Sequence, residues 1–330
     1  MKKYMKLIIS VAIGIVIVGI IAIWAGSSMI ARQANLSRAT THEDAYPISE
    51  IKSITADCDS LNIKAYDVDG DELTLSWVET KDIHFKTVNN NGDLSITYHN
   101  ELRWVDHLIP RIVDESLYTL VIGVPADYSG SLSLMSISGE VIVENISAGA
   151  DIHLSAGSGS LELNNIDSGS DITLSISSGR LKASNMSSEG SIAIRAGSGK
   201  IEANQIALNG DFSAKGSSGW IEISALRGAS TADLLTTSGR MTFSEIAVDA
   251  LTAKTGSGKM RFDNIVAKKS ISLRAGSGDI DGSIKDSAGK FTISTSTFSG
   301  KNNLPDNISI GEKTLTVETG SGDIDIIFLD

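Results

Sequence analysis

From Leu132 to Ile280 apolar residues stand two apart in pairs, and each pair recurs about twenty positions further on. One such column holds Leu132, Ile152, Ile172, Ile192, Phe212, Ala232, Leu251 and Ile271. A second, two residues later, holds Leu134, Leu154, Leu174, Ile194, Ala214, Leu234, Ala253 and Leu273. Between these columns and the next apolar pair (Val141 and Val143, Leu161 and Leu163, Leu181 and Ala183) stands a Ser-Gly dipeptide. Its glycines are Gly139, Gly159, Gly179, Gly199, Gly219, Gly239, Gly258, Gly278, Gly300 and Gly322, spaced by 20 residues except for one step of 19 and two of 22. A period of two on each side of the dipeptide marks strands with one buried face. The unit therefore reads as two short strands hinged at Ser-Gly, where glycine supplies the positive φ of a sharp bend. Gly149, Gly169, Gly190, Gly210 and Gly228 mark a second bend. A 20-residue unit cannot bury two apolar faces alone, so stacked units build one continuous core. The predicted fold is all-β, a parallel β-solenoid (β-helix) of ~20-residue coils over 131–330.

A further column, Asn145, Asn165, Asn185, Gln205 and Asn264, follows each corner by six residues. It reads as a ladder of stacked amides, with a row of ligand-contacting amides as the alternative. Residues 48–130 keep strand-like runs without the strict period and read as irregular first coils or a cap, and 98–118 as an aromatic, mixed-charge insertion.

The amino-terminal pattern is different in kind. Leu7–Ala25 is apolar apart from Ser10, long enough as a helix to cross a bilayer, and follows Lys2, Lys3 and Lys6. The positive-inside rule puts residues 1–26 in the cell membrane as a single-pass anchor with a cytoplasmic amino terminus. A polar linker, 27–47, then leads to an extracytoplasmic domain. A cleaved signal peptide is the rival, but its apolar stretch is shorter and Ile23-Trp24-Ala25 is a poor cleavage site.

Short strands turning on Ala156-Gly157-Ser158-Gly159, Ala196-Gly197-Ser198-Gly199 and Thr319-Gly320-Ser321-Gly322-Asp323-Ile324 carry a resemblance. Over roughly 48–330 the chain resembles the bacterial putative-adhesin family, domain-of-unknown-function family 4097, which includes LiaG-like envelope proteins. The resemblance implies a β-solenoid displayed at the cell surface. It transfers no catalytic residues.

Chemistry is sparse. One cysteine among 330 residues excludes a disulfide framework and a Cys-based zinc site. The five histidines include no i, i+4 pair and no H-E-x-x-H. The G-S-G triplets lack a Walker lysine and any βαβ context and are turns, and no G-x-S-x-G elbow occurs. Asp67–Glu72 falls short of a calcium loop and reads as a hairpin turn with acidic tips. No cofactor or metal is expected.

Net charge is −12, which argues against nucleic acid as a partner. The average conceals a basic middle: residues 171–275 hold 13 Lys+Arg against 9 Asp+Glu. Just after the corner glycine stand Arg180, Lys200, Trp220, Arg240 and Lys259, and four residues before it Arg195, Lys215, Lys254 and Arg274. This predicts a basic edge with Trp220 near its centre, suited to an anionic envelope polymer or an envelope protein. The competing reading neutralises the edge with Glu202 and Glu222 from the next outward column, leaving it a role in solubility. The expected role is therefore non-catalytic binding or scaffolding in the cell envelope. A self-assembling structural solenoid and a polysaccharide-active β-helix enzyme are the alternatives, the latter weakened by the absence of clustered outward carboxylates.

Overall fold

A computed structural model describes residues 39–80, 83–100, 118–305, 308–309 and 311–329. The anchor at Leu7–Ala25 lies outside them, as do residues 101–117 of the expected insertion, whose first residues end the strand Asp93–Asn100. Among the described residues no helix is long and apolar enough to cross a membrane.

The regular part is the predicted parallel solenoid. Ile172–Ser188 pairs with Ile192–Leu208, and that with Phe212–Arg227, every residue opposite its counterpart 20 positions on. Both apolar columns are buried, as are Val141, Leu161, Leu181, Ile201, Ile221, Met241 and Met260 after the corner. Each fully buried Leu or Ile contributes about 1.5–3 kcal/mol through removal of apolar surface from water. The one-residue shortfall between Gly239 and Gly258 is absorbed by a register shift between Val248 and Ala250. Phe243 and Phe262 stack at 5.5 Å, and the next residue in their column is Gly282. A Cβ on Gly282 would stand 2.6 Å from the Phe262 ring, so the missing side chain leaves room for the phenyl group.

Three local expectations are corrected. Ser-Gly does not break the strand, because Ile172–Ser188, Ile192–Leu208 and Phe212–Arg227 run through the corner. Positive φ accounts for only part of the glycine column: Gly179, Gly219, Gly258, Gly278, Gly300 and Gly322 have φ of 127–152°, but Gly139, Gly159, Gly199 and Gly239 do not have positive φ. Close approach is what they share, since a Cβ on Gly159, Gly199 or Gly239 would lie 1.8–2.2 Å from the corner carbonyl oxygen of the preceding coil. Second, the amide column is a bend. Asn145, Asn165, Asn185, Gln205 and Asn264 have φ of 54–57°, as do Ala225 (54°) and nearly so Glu245 (52°). Asparagine tolerates this conformation better than most residues, which is why it recurs there. A single ladder step forms, Asn165 Nδ2 donating to Asn145 Oδ1 at 2.9 Å; Asn185 donates to Asn164 instead. The bend adds a third segment to the coil, burying Ile146, Ile166, Met186, Ile206, Leu226, Ile246 and Ile265. Third, the Asp67–Glu72 turn makes no hairpin: Thr119–Pro125 lies between the strands it joins, parallel to Asn62–Val68 and antiparallel to Glu72–Glu79.

Both ends depart from sequence order. Ser53–Asp57 is parallel to Ser131–Ser136 on one side and to Asp93–Asn100 on the other, so the earliest coil is an inner one. Outside it, Ile83–Asn90 adds antiparallel to Asp93–Asn100, and Thr40–Pro47 antiparallel to Glu72–Glu79. Residues 40–47, expected as the end of the polar linker, are thus a cap strand. Trp77 fastens this cap, stacked on His42 at 5.7 Å and next to Phe85 at 5.6 Å. At the far end Lys313–Ser321 slots between Met260–Ser277 and Phe291–Ser299. The outermost coil is therefore the earlier segment, and Ile308–Ser309 adds antiparallel to it. Antiparallel cap strands interrupt the parallel template that end-to-end stacking requires. The protein is accordingly expected to sediment without fibre formation as its concentration rises; concentration-dependent fibres would contradict this.

Candidate functional site

The one-per-coil register fixes where the charged residues stand. Arg180, Lys200, Trp220 and Arg240 are successive partners, so they form a continuous column just beyond the Ser-Gly corner. On the other side of the corner Arg195 faces Lys215, and Lys254 faces Arg274. The expected basic residues thus fall into two rows flanking one corner.

The rows differ in electrostatics. In the first, Lys200 Nζ contacts Glu202 and lies 2.9 Å from Glu222 Oε2, and Arg180 Nε is 3.5 Å from Glu202. Hydrogen bonds to Glu202 and then Glu222 hold the Lys200 ammonium above its ordinary pKa. Lys259 is held up chiefly by Asp281, at 2.9 Å, with Asp279 at 3.4 Å. Arg240 has no carboxylate partner among the described residues but sits 5.2 Å from the Trp220 ring, with Lys200 Nζ 5.7 Å away. Trp220 is 52% exposed. Arg180 and Lys200 thus meet the glutamates that the competing reading named, whereas Lys259 is answered by Asp281 and Asp279, which it did not.

In the second row, Arg274 meets Glu318 at 3.4 Å. Arg195, Lys215 and Lys254 form no ion pair among the described residues. Attraction for an outside anion is strongest where no internal carboxylate competes, so this row is the open one.

Between the second row and the corner lies a column without bulk. Thr237, Gly256, Gly276 and Gly320 follow one another there, and the glycines would place a Cβ 2.5 Å from a carbonyl oxygen of the neighbouring coil. Phe298, 93% exposed, closes the column beside Gly320, its neighbours Thr297 and Ser299 pairing with Thr319 and Ser321. The result is an open groove of about 570 Å³, with Leu235, Lys254, Arg274 and Glu318 on one wall. Sequence reasoning missed it. Phe298 stands out as the lone aromatic in a column that after Ile137 is otherwise Gly, Ser and Thr, but its position next to Gly320 follows from the exchanged order of the last coils.

The glycine stack, the three-segment coil and the capped ends characterise this solenoid. The sequence model of one family, Toastrack DUF4097, matches residues 51–211 and again 170–327. The chain belongs to the Toastrack DUF4097 family. The two overlapping matches reflect the repeat: each spans several coils, and together they cover the solenoid from Ile51 to the last coil. No curated protein matches this Toastrack DUF4097 chain in sequence. Among solved structures it is similar to a putative cell adhesion protein from Clostridium sporogenes, at 10% identity over 88% of this chain and 100% of the other, with a TM-score of 0.23. It is also similar to a putative adhesin from Bacteroides fragilis, at 14% identity over 87% and 97%, with a TM-score of 0.33. Neither superposes closely enough to add to the family match.

Proposed function

We propose that this Toastrack protein is a non-catalytic binding solenoid, held at the cell membrane by Leu7–Ala25 with its β-domain outside, that docks an anionic envelope polymer along the Ser-Gly corner. The observation that carries the reading is the open cationic row, Arg195, Lys215 and Lys254, running along the solenoid a corner away from exposed Trp220. Arg195 and Lys215 on adjacent strands, ~4.8 Å apart, with Lys254 two coils on beyond Leu235, suit a polymer whose charges also repeat. Among the described residues no group of three or more His, Cys, Asp or Glu could hold a metal ion, and the open row carries cations in place of the paired carboxylates of glycoside hydrolysis.

The test is binding to isolated bacterial cell walls, with and without their anionic polymers, at two salt concentrations. An Arg195→Ala/Lys215→Ala variant should bind about fivefold more weakly and lose part of its salt dependence. Lys200→Ala should change binding less, because Glu202 and Glu222 already answer that charge. Equal binding by the double variant and the parent chain would sink the proposal.

A further inference from the structure

Phe298 presents a bare aromatic face to water on the outermost coil, where 93% exposure of so large an apolar group leaves it without a packing role. Three glycines, Gly256, Gly276 and Gly320, extend from it as a smooth floor, about 14 Å long at the inter-strand spacing. Along one wall the chemistry changes in order. Next to Phe298 stands Glu318, an acceptor partly engaged by Arg274; beyond them is Lys254, without an ion-pair partner among the described residues.

We propose that this groove is a saccharide subsite for a short acidic oligosaccharide. A pyranose ring lies with its C–H face on Phe298, its hydroxyls donate to the Glu318 carboxylate, and the carboxylate of the third ring, two rings further along the floor, reaches Lys254. The glycine floor lets the rings approach the backbone, where any side chain would hold them off. Glu318 near the aromatic end and Lys254 at the other fix the direction: neutral hydroxyls belong over the first, and the acid group over the second. This deepens the polymer-binding reading and rests on it, by giving the open cationic row a place where one sugar ring is recognised individually.

Calorimetric titration of the full chain in neutral-detergent micelles tests it, with trigalacturonic acid and maltotriose as probes and polygalacturonate as the long polymer. Trigalacturonic acid should bind, and Phe298→Ala and Lys254→Ala should each weaken it about tenfold. Maltotriose, likewise an α-1,4-linked trimer of pyranose chairs but without acid groups and with the opposite configuration at C4, should bind at least about tenfold more weakly. Arg195→Ala/Lys215→Ala should leave the trisaccharide unaffected while weakening polygalacturonate. No binding of trigalacturonic acid, undiminished binding by either single variant, or equal binding of maltotriose overturns the subsite. If the trisaccharide fails while polygalacturonate still depends on Arg195 and Lys215, the subsite is wrong and the wider reading stands. If the trisaccharide behaves as expected while polygalacturonate ignores those two residues, the wider reading falls and the subsite remains.

Discussion

Gly239→Ala should destabilise the middle of the solenoid by about 3 kcal/mol or more, whereas Gly216→Ala should leave it unharmed or stabilise it by about 0.4–1 kcal/mol. A Cβ on Gly239 would stand 1.8 Å from the Gly219 carbonyl oxygen and 2.9 Å from its carbon. The obstacle is backbone, and no rotamer change relieves it. Both glycines are also register partners in strands that continue through the corner, so separating them strains the ladder on both sides. Overpacking a core typically costs about 1–3 kcal/mol, and a backbone obstacle belongs at or above the top of that range. Gly216 is the control. Its nearest neighbours are Ile221 Cδ1 at 3.7 Å and Thr236 Oγ1 at 3.9 Å, ordinary contact distances, and its column partners are Ala196 and Thr236. An added methyl fits there and restricts the unfolded chain. Because coils couple mainly to their neighbours, the loss at Gly239 should concentrate between residues 212 and 258. Thermal unfolding with amide hydrogen exchange reads both effects; equal behaviour of the two variants would refute the close-approach account.

Asp286→Asn should cost about 2 kcal/mol near neutral pH and progressively less in acid. Asp286 lies where the chain leaves the regular stack to form the outermost coil. Its side chain is only 9% exposed and receives Lys290 Nζ and Lys313 Nζ, both at 2.6 Å. Lys313 also donates to the Ala267 carbonyl at 2.9 Å, tying three segments together. Burial pushes this carboxyl up, but hydrogen bonds from Lys290, Lys313 and the Ser287 amide outweigh it and hold the pKa at about 2, against an ordinary 3.8. A carboxyl whose folded pKa is depressed stabilises the fold fully above its unfolded value and loses that contribution as pH falls through the folded one. The gap between parent and variant should thus be constant above about pH 5 and close between roughly pH 4 and 2. Hydrogen exchange over Lys313–Ser321 is the sensitive readout, since that strand is held between two others and starts at Lys313. A gap that persists unchanged at pH 2 would mean that the ion pairs do not set it.

The inner columns were legible because inward-facing positions alternate locally: Ile172, Leu174 and Leu181 are buried where their spacing from Gly179 put them. The charged rows were legible for the same reason, since the period that aligns Leu181 with Ile201 also aligns Arg180 with Lys200. The part played by each row was not. Pairing of Lys200 with Glu202 and Glu222 depends on side-chain reach between adjacent strands, and the freedom of Lys215 on what the neighbouring coil does not offer. Asparagine at the left-handed bend carried a signal that could have been read: Asn165 and Asn185 recur where an L-residue is asked for φ near +55°. Ala225 and Glu245 adopt the same conformation without that preference, so the stack imposes the bend.

By itself the sequence determined the coil: its length, its inward columns, its glycine corner and the two cationic rows, all properties of residues close together in the chain. Tertiary structure alone decided the order of the coils at the ends. Phe291–Ser299 lies outside Lys313–Ser321, and Ser53–Asp57 inside Asp93–Asn100, because adjacent coils present nearly equivalent parallel edges and periodicity cannot rank them. The choice falls to particular contacts, Asp286 with Lys313 at one end and Trp77 against His42 and Phe85 at the other. With that order came the groove beneath Phe298, made by a neighbour that the repeat does not specify.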